Sequence, residues 1–384
     1  MDIFIGDSVR SVRGKARPDG GLAAQTPQAL VGALIDAMEQ RSAIQRTAVD
    51  RLTLGCVGQV GAQGGHIALV TKIASDLPAS SSAHTINNFC ASGLTAIGQA
   101  VAAVTAGQSE MALAGGVEML SQVPFMADRA DYYSDKAFEP IDRYIPVVLA
   151  ADLLAAEQNV TREEMDDLSF LSQSRSALAE TDSALIASRI AIAALDHDEA
   201  VRVTTREKLA AMPPAFGGLA KEYAHAMVGQ TPAPRMSVAN APPMTDGAGL
   251  AAIGGAGAFQ SPRARVVAFA ESGGGARQSL TAGFVAMEKV LDQAGLGLDQ
   301  MDRIEFMEAF AVPYALFRRN YQPDMDKVNV SGGHIAKGHP MGATGAILLS
   351  TLLDVLDAAD GRYGLVVASG AQGVGAAMIV ERLT

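Results

Sequence analysis

The chain has no tryptophan, two cysteines and six histidines in 384 residues. Thiols at 56 and 90 alone give no disulfide framework and no paired spacing for a metal site. Cations are also in deficit. Lys and Arg total 30 against 41 Asp and Glu, a net charge of −11. That balance argues against the clustered basic surface that nucleic acid needs, although an anionic small ligand would require only a local patch. The first residues, MDIFIGDSVRSVRG, carry too short an apolar run for a secretory signal. No stretch is read as reaching the length of a membrane span, and the expectation is a soluble, cytoplasmic protein. What is plentiful is small and apolar: 39 glycines within a composition that is 49% hydrophobic. Such a chain suits closely packed layers, and its length allows a large core or two similar half-domains.

Short β-rich runs alternate with helical ones, the pattern of an α/β layered fold. Strands are expected at IFIG near the start, RLTLGCV (51–57), HTIN (84–87), MALAGGV (111–117), GLAAIGG (249–255) and RVVAFAES (265–272). Further strands are expected at RIEFMEAF (303–310), VNVSGG (328–333), GLVVASG (364–370) and AAMIVERL (376–383). PQALVGALIDAMEQR and LTAGFVAMEKVLDQAG read as helices, the second stopped by Gly295. The segment from 120 to 245 differs, being charged and helix-rich and then Pro-rich. It reads as an insertion over the layered core.

Cys90 stands at the junction of a strand and a helix. After it, Leu94, Ile97, Val101 and Val104 recur on one helical face, closed by Gly107. The unpaired N–H groups of a helix start favour a thiolate, and Ala91, Ser92 and Gly93 let a substrate approach. A lone cysteine is also a common small core residue. A second stretch, VNVSGGHIAKGHPMGATGAILLSTLL, takes a strand into a Gly-rich turn bearing His339 and then a helix near Gly342. A thiol at one such turn and an imidazole at another is the arrangement in which His339 takes the thiol proton.

The blocks NNFCASGL, LAGGVEMLSQVP, TREEMDDLSFLSQSRSA, NAPPMTDGAG, EFMEAF, VNVSGGHIAKGHPMGATGA and GAQGVGAAMIVE occur in the order used by thiolases. The chain resembles that family from end to end. The resemblance implies a layered αβαβα fold of two similar halves with an inserted loop domain. Residues 1–119 with 246–262 would form the N-terminal half, 120–245 the loop domain and 263–384 the C-terminal half. It implies coenzyme A thioesters as substrates, with acyl-CoA or acyl-carrier protein as the acyl source, and no permanently bound cofactor or metal. It also implies a homodimer or homotetramer. Cys90 would carry the acyl group and His339 would activate it. The backbone N–H of Cys90, with a glycine N–H of the last Gly-rich turn, would hold the oxyanion. Glu308 would orient the site, and Gly373, Asn240, Pro242 and Phe310 would touch coenzyme A.

Two family positions are altered. The second catalytic cysteine is replaced by Ser369, whose hydroxyl is several pK units less acidic than a thiol and a poor proton shuttle. The Asn or His preceding Glu-Ala-Phe is Met307, which cannot donate a hydrogen bond. Cys56, on an early strand, reads as core rather than as a replacement. His334 occupies a position usually small, either as a packed histidine or as a substitute for the donor that Met307 lacks. Pro146-Val147-Val148 stand where His-Met-Gly is usual, and Asn240-Ala241-Pro242-Pro243 where Asn-Ala-Ser-Gly is usual. Arg202, Arg206, Lys208 and Lys221 are available for phosphates, or form a solvated face. Three readings follow. One is a C-acyltransferase making or breaking a C–C bond through acyl-Cys90. Another is a decarboxylating condensing enzyme, or one passing the acyl group to a non-carbon nucleophile. The third is a catalytically degenerate subunit.

Overall fold

The computed structural model describes residues 1–227, 233–276 and 279–383. Its eleven strands are β1 (Phe4–Ser11), β2 (Gly14–Lys15), β3 (Arg51–Gly55), β4 (Ser82–Ile86), β5 (Met111–Met119), β6 (Arg189–Ile190), β7 (Thr245–Gly254), β8 (Ala264–Ser272), β9 (Arg303–Phe306), β10 (Tyr363–Gly370) and β11 (Val374–Arg382). The long path runs β4-β3-β5-β7-β1-β8-β11-β10-β9, with β2 on β7 and β6 on β1. Two half-sheets share one pairing rule. In the first, β3 and β5 are parallel, and β7 and β1 follow antiparallel. In the second, β9 and β10 are parallel, and β11 and β8 follow antiparallel. Their edges meet at Phe4 and Ile5 against Arg265 and Ala264.

The first half carries α1 (Pro27–Ser42), α2 (Ile67–Ala74) and α3 (Ser92–Thr105). The segment between β5 and β7 holds α4 (Val147–Glu157), α5 (Arg162–Ala179), α6 (Arg206–Ala210) and α7 (Gly217–Glu222). The second half carries α8 (Ala282–Ala294), α9 (Ala311–Tyr321), α10 (His334–Lys337) and α11 (Thr344–Ala358). Capping follows the sequence. Thr26 accepts from the Ala29 N–H ahead of Pro27, and Thr161 with Glu164 forms a reciprocal capping box on α5. Gly295 ends α8 at φ 63°.

α3 and α11 pack against each other, α3 beneath β3, β5 and β7 and α11 against β7, β9, β10 and β1. Their approach depends on glycine. A Cβ on Gly93 would lie 2.7 Å from the Gly342 carbonyl oxygen, and one on Gly345 would lie 2.7 Å from Leu94. α11 is buried on nearly every face. This corrects one expectation: Met341–Ala358 is long and apolar enough to cross a membrane by length and composition, yet 89% of it is buried inside the protein. It serves as the central core helix.

Two strand expectations also need correction. The strand begun at Arg303 ends at Phe306, and residues 328–333 make only an isolated bridge, Ile304 with Val328. Asn329, at φ 46°, turns its amide back to pair with both the N–H and the C=O of Phe306 (2.8 and 2.9 Å). That side chain takes the place of a strand partner, and the backbone leaves the sheet.

Candidate active site

Asn87, Asn88 and Ser92 build the turn that presents Cys90. Phe89 sits at φ 45°, a left-handed conformation costly for a residue with a large side chain. Its N–H donates to Asn87 Oδ1 at 3.0 Å, and the Asn88 N–H donates to Ser92 Oγ at 2.8 Å. The turn is thereby fixed just ahead of α3, and Cys90 reaches a cavity from it. Burial pushes the Cys90 thiol up to about 12, although an N–H from Ala371 acts in the opposite sense. The backbone donors at the sulfur are the N–H groups of Ala371 and Cys90. Gly370 allows that approach, since a Cβ there would meet the Cys90 nitrogen at 3.2 Å. The Cys90 Sγ lies 3.8 Å from the Met341 sulfur.

His339 arrives on a strapped turn. Its N–H donates to the Pro243 carbonyl at 2.8 Å, and Arg13 donates to the Gly338 carbonyl at 3.2 Å. The buried Glu118 carboxylate accepts from the N–H groups of Val57, Gly58 and Gly342, tying the turn to the end of β3. His339 Nδ1 lies 2.7 Å from Thr344 Oγ1. Burial, then the Arg13 charge, lowers its pKa to about 3, so the imidazole is neutral. Donation from Nδ1 to Thr344 Oγ1 would leave Nε2 as the nitrogen free to accept a proton.

Ser369 Oγ accepts from the Gly283 N–H at 3.1 Å, at the start of α8. Cys90, His339, Ser369, Ala371 and Phe310 all line one cavity of about 790 Å³. The loop segment adds Pro146, Val147, Val148, Ala241, Pro242 and Pro243 to its wall. Lys15, Arg17 and Arg202 line it as well, with Arg17 and Arg202 exposed to solvent.

Other expected residues lie elsewhere. Asn240 is fully buried. Its amide is occupied by Ser237, Asp166 and Ser169, so it braces the loop rather than lining the cavity. Gly373, at φ 79°, packs on Gly274 and Gly275 outside the cavity lining. Met307 is buried in the core off the cavity. Glu308 lies beneath the floor, accepting from the Ile335 N–H, Ser172 Oγ and Asn329 Nδ2, with burial raising it to about 7. His334 is fully buried, lies outside the cavity lining, and its Nδ1 has no hydrogen-bond partner among the described residues. Its Nε2 accepts from the Ala309 N–H at 2.7 Å, and its ring stacks on His339 at 4.9 Å between centroids. Arg206 pairs with Asp167 and covers Phe170, away from the cavity, as are Lys208 and Lys221. Cys56 is buried against Gln63 and Glu118.

Sequence reasoning missed Lys15 and Arg17, although RSVRGKARP is a local basic run in an acidic chain. It also missed Thr344, Arg13 and Glu118. A carboxylate inside LAGGVEML was the available signal, since a charge in an apolar run needs a buried partner set.

Two family descriptions match in tandem: Thiolase, N-terminal domain, over residues 3–253, and Thiolase, C-terminal domain, over 260–382. The chain belongs to the thiolase family. It is 31% identical to a beta-ketoadipyl-CoA thiolase of Pseudomonas aeruginosa over 100% of this chain and 99% of that protein. It is 32% identical to an acetyl-CoA acetyltransferase of Escherichia coli over 95% of each. Among solved structures, human mitochondrial 3-ketoacyl-CoA thiolase superposes with a TM-score of 0.87 at 26% identity, covering 100% of this chain and 99% of that one. The layered α/β architecture of this thiolase is that of the family.

Proposed function

We propose that this chain is a thiolase-type acyltransferase that takes an acyl group from a coenzyme A thioester onto Cys90 and makes or breaks a C–C bond with it. The observation that carries the reading is the convergence of a cysteine, a neutral histidine and a backbone N–H on one cavity. The exposed Arg17 and Arg202, with Lys15, would meet the phosphates of coenzyme A at the mouth. The pantetheine arm would pass between Pro146–Val148 and Ala241–Pro243 and seat its thioester at Cys90.

The resting pair is a neutral thiol and a neutral imidazole. As the Cys90 sulfur attacks the thioester carbon, His339 Nε2 takes the thiol proton. The oxygen that becomes negative is held by the N–H groups of Cys90 and Ala371. The tetrahedral adduct expels the coenzyme A thiolate, which regains the proton from His339. Thr344 keeps the proton on Nδ1, so that Nε2 starts as the acceptor.

In the second half-reaction Ser369 stands at the position of the family's second cysteine. Its oxygen already accepts from Gly283, which leaves its proton as a donor. This favours a second reading, in which the carbanion comes from decarboxylation of a malonyl-type extender or the acyl group passes to another nucleophile. The intact cavity argues against a degenerate subunit. Two copies or a dimer of dimers, with no permanently bound cofactor, complete the proposal.

Exchange of labelled coenzyme A into an unlabelled acyl-CoA tests the first half-reaction alone. We expect exchange in the wild type, none in Cys90→Ala and a loss of at least about a hundredfold in His339→Ala, the scale of general-base catalysis. Undiminished exchange in Cys90→Ala would sink the proposal.

A further inference from the structure

The turn that brings the Ala371 N–H to Cys90 is a tight one. β10 and β11 pair as far as Gly370 with Val374, so only Ala371, Gln372 and Gly373 make the connection. Two of these adopt left-handed backbone, Gln372 at φ 59° and Gly373 at φ 79°. A glycine at position 372 would take that conformation without strain, and a glutamine does not. Strain of this kind persists only where the surroundings over-determine it.

Here they do. The Gln372 N–H donates to Ser279 Oγ at 2.9 Å. The side-chain amide crosses to the 120–245 segment, where Nε2 makes a long hydrogen bond to the Ile145 carbonyl at 3.4 Å. Its Oε1 accepts from the Tyr132 hydroxyl at 3.1 Å, a proton shared with the Asp142 carbonyl at 2.9 Å. Ile145 directly precedes Pro146, Val147 and Val148, which line the cavity. Tyr132 sits edge-on to Tyr144, another lining residue, at 6.2 Å between ring centroids. This stretch of wall is itself strapped, since the Arg143 guanidinium donates to the carbonyls of Lys136, Phe138 and His225 at 2.9, 2.9 and 2.7 Å. Gln372 lies outside the cavity lining, whereas its neighbour Ala371 lies within it. The glutamine thus joins the wall to the turn without facing the substrate space.

We propose that Gln372 is a positioning residue: it ties the last turn to the Tyr132–Ile145 stretch and thereby aims the Ala371 N–H, so that the oxyanion hole is complete only while the cavity wall is docked. This rests on the acyltransferase reading above, in which that N–H holds the developing oxyanion. A glutamine that only propped the wall would act on substrate binding. One that aims a backbone donor acts on the chemical step.

The test compares the full-length wild type with Gln372→Gly, Tyr132→Phe and the double variant. Two rates are read: exchange of labelled coenzyme A into acetyl-CoA, and alkylation of Cys90 by iodoacetamide at about pH 8, where the thiolate is the reacting form. Glycine accepts the backbone conformation at 372, so Gln372→Gly removes the tether and keeps the turn. Its exchange kcat should fall at least about tenfold, toward the hundredfold of a lost oxyanion donor, with KM held within about twofold. Alkylation should slow about tenfold, because the same N–H supports the thiolate. Tyr132→Phe should lower kcat about fivefold on its own, and no further beside Gln372→Gly, since both act through one contact. A raised KM at unchanged kcat, unchanged alkylation in Gln372→Gly, or equal losses from Tyr132→Phe in both backgrounds would overturn the positioning role. Tyr132→Phe leaves the turn sequence intact, so wild-type rates in that variant would overturn it too. No exchange in the wild type would overturn the acyltransferase reading instead, and alkylation alone would then decide whether the tether aims the N–H.

Discussion

Cys90 and His339 are pushed in opposite directions by the same burial, the thiol up to about 12 and the imidazole down to about 3. Both shifts disfavour charge, so the pair rests as thiol and imidazole rather than as an ion pair. Alkylation of Cys90 by iodoacetamide should therefore rise about tenfold per pH unit from pH 6 to 9, because each unit adds a tenfold thiolate fraction. A plateau across that range would mean a preformed thiolate–imidazolium pair. Thr344→Val removes the hydrogen-bond partner of Nδ1, and coenzyme A exchange should fall about tenfold while Cys90 alkylation is unchanged. Ser369→Cys restores a thiol at the second position. Exchange of acetyl-CoA α-protons into D₂O should rise about a hundredfold, the scale of a general base; no rise would show that another group moves that proton. At this scale the sequence was legible where residue types are scarce. One cysteine at a strand-to-helix turn and one Gly-His-Pro histidine stand out. Ala371, whose N–H reaches the sulfur, carries no side-chain signal, so only the fold reveals it.

At the scale of elements, two helices meet at glycines so that two turns can share a cavity. Gly345→Ala should gain about 1 kcal/mol of helix propensity, yet its Cβ would fall 2.7 Å from the Leu94 backbone nitrogen. Overpacking against backbone costs about 1–3 kcal/mol. A net loss in urea unfolding, together with slower acylation, is expected; a net gain would show that the helices part without consequence. The helices at 27–41 and 280–295 were readable because apolar periodicity and caps agree. The strand expected at 328–333 failed because the Asn329 side chain replaces the backbone ladder, a pairing that involves residues far apart in sequence. The same remoteness hid the surroundings of His334, whose ring stacks on His339 and whose Nε2 accepts from the Ala309 N–H.

Across the whole molecule, buried charge connects the 120–245 segment to the sheet. Arg10 on β1 makes two 2.9 Å hydrogen bonds to Asp198, with both side chains buried. Despite its burial, Asp198 is held well below the usual carboxylate range by Arg10 and Arg13. The sign follows: this group contributes stability above the ordinary Asp pKa, near 4, and loses it as pH falls through its depressed folded value. Asp198→Asn should therefore cost about 3–5 kcal/mol at pH 7 by stranding Arg10. The difference from wild type should shrink below pH 4. The layered α/β class was legible as β-rich runs alternating with helical ones, whereas the cavity was not, because its wall is gathered from residues between Lys15 and Ala371.

Mass spectrometry of peptides from protein quenched after mixing with acetyl-CoA tests the central claim most directly. The account predicts one acetyl group on the peptide containing Cys90, absent in Cys90→Ala and slow to form in His339→Ala. Label on Cys56 instead, or none while coenzyme A still binds, would contradict it.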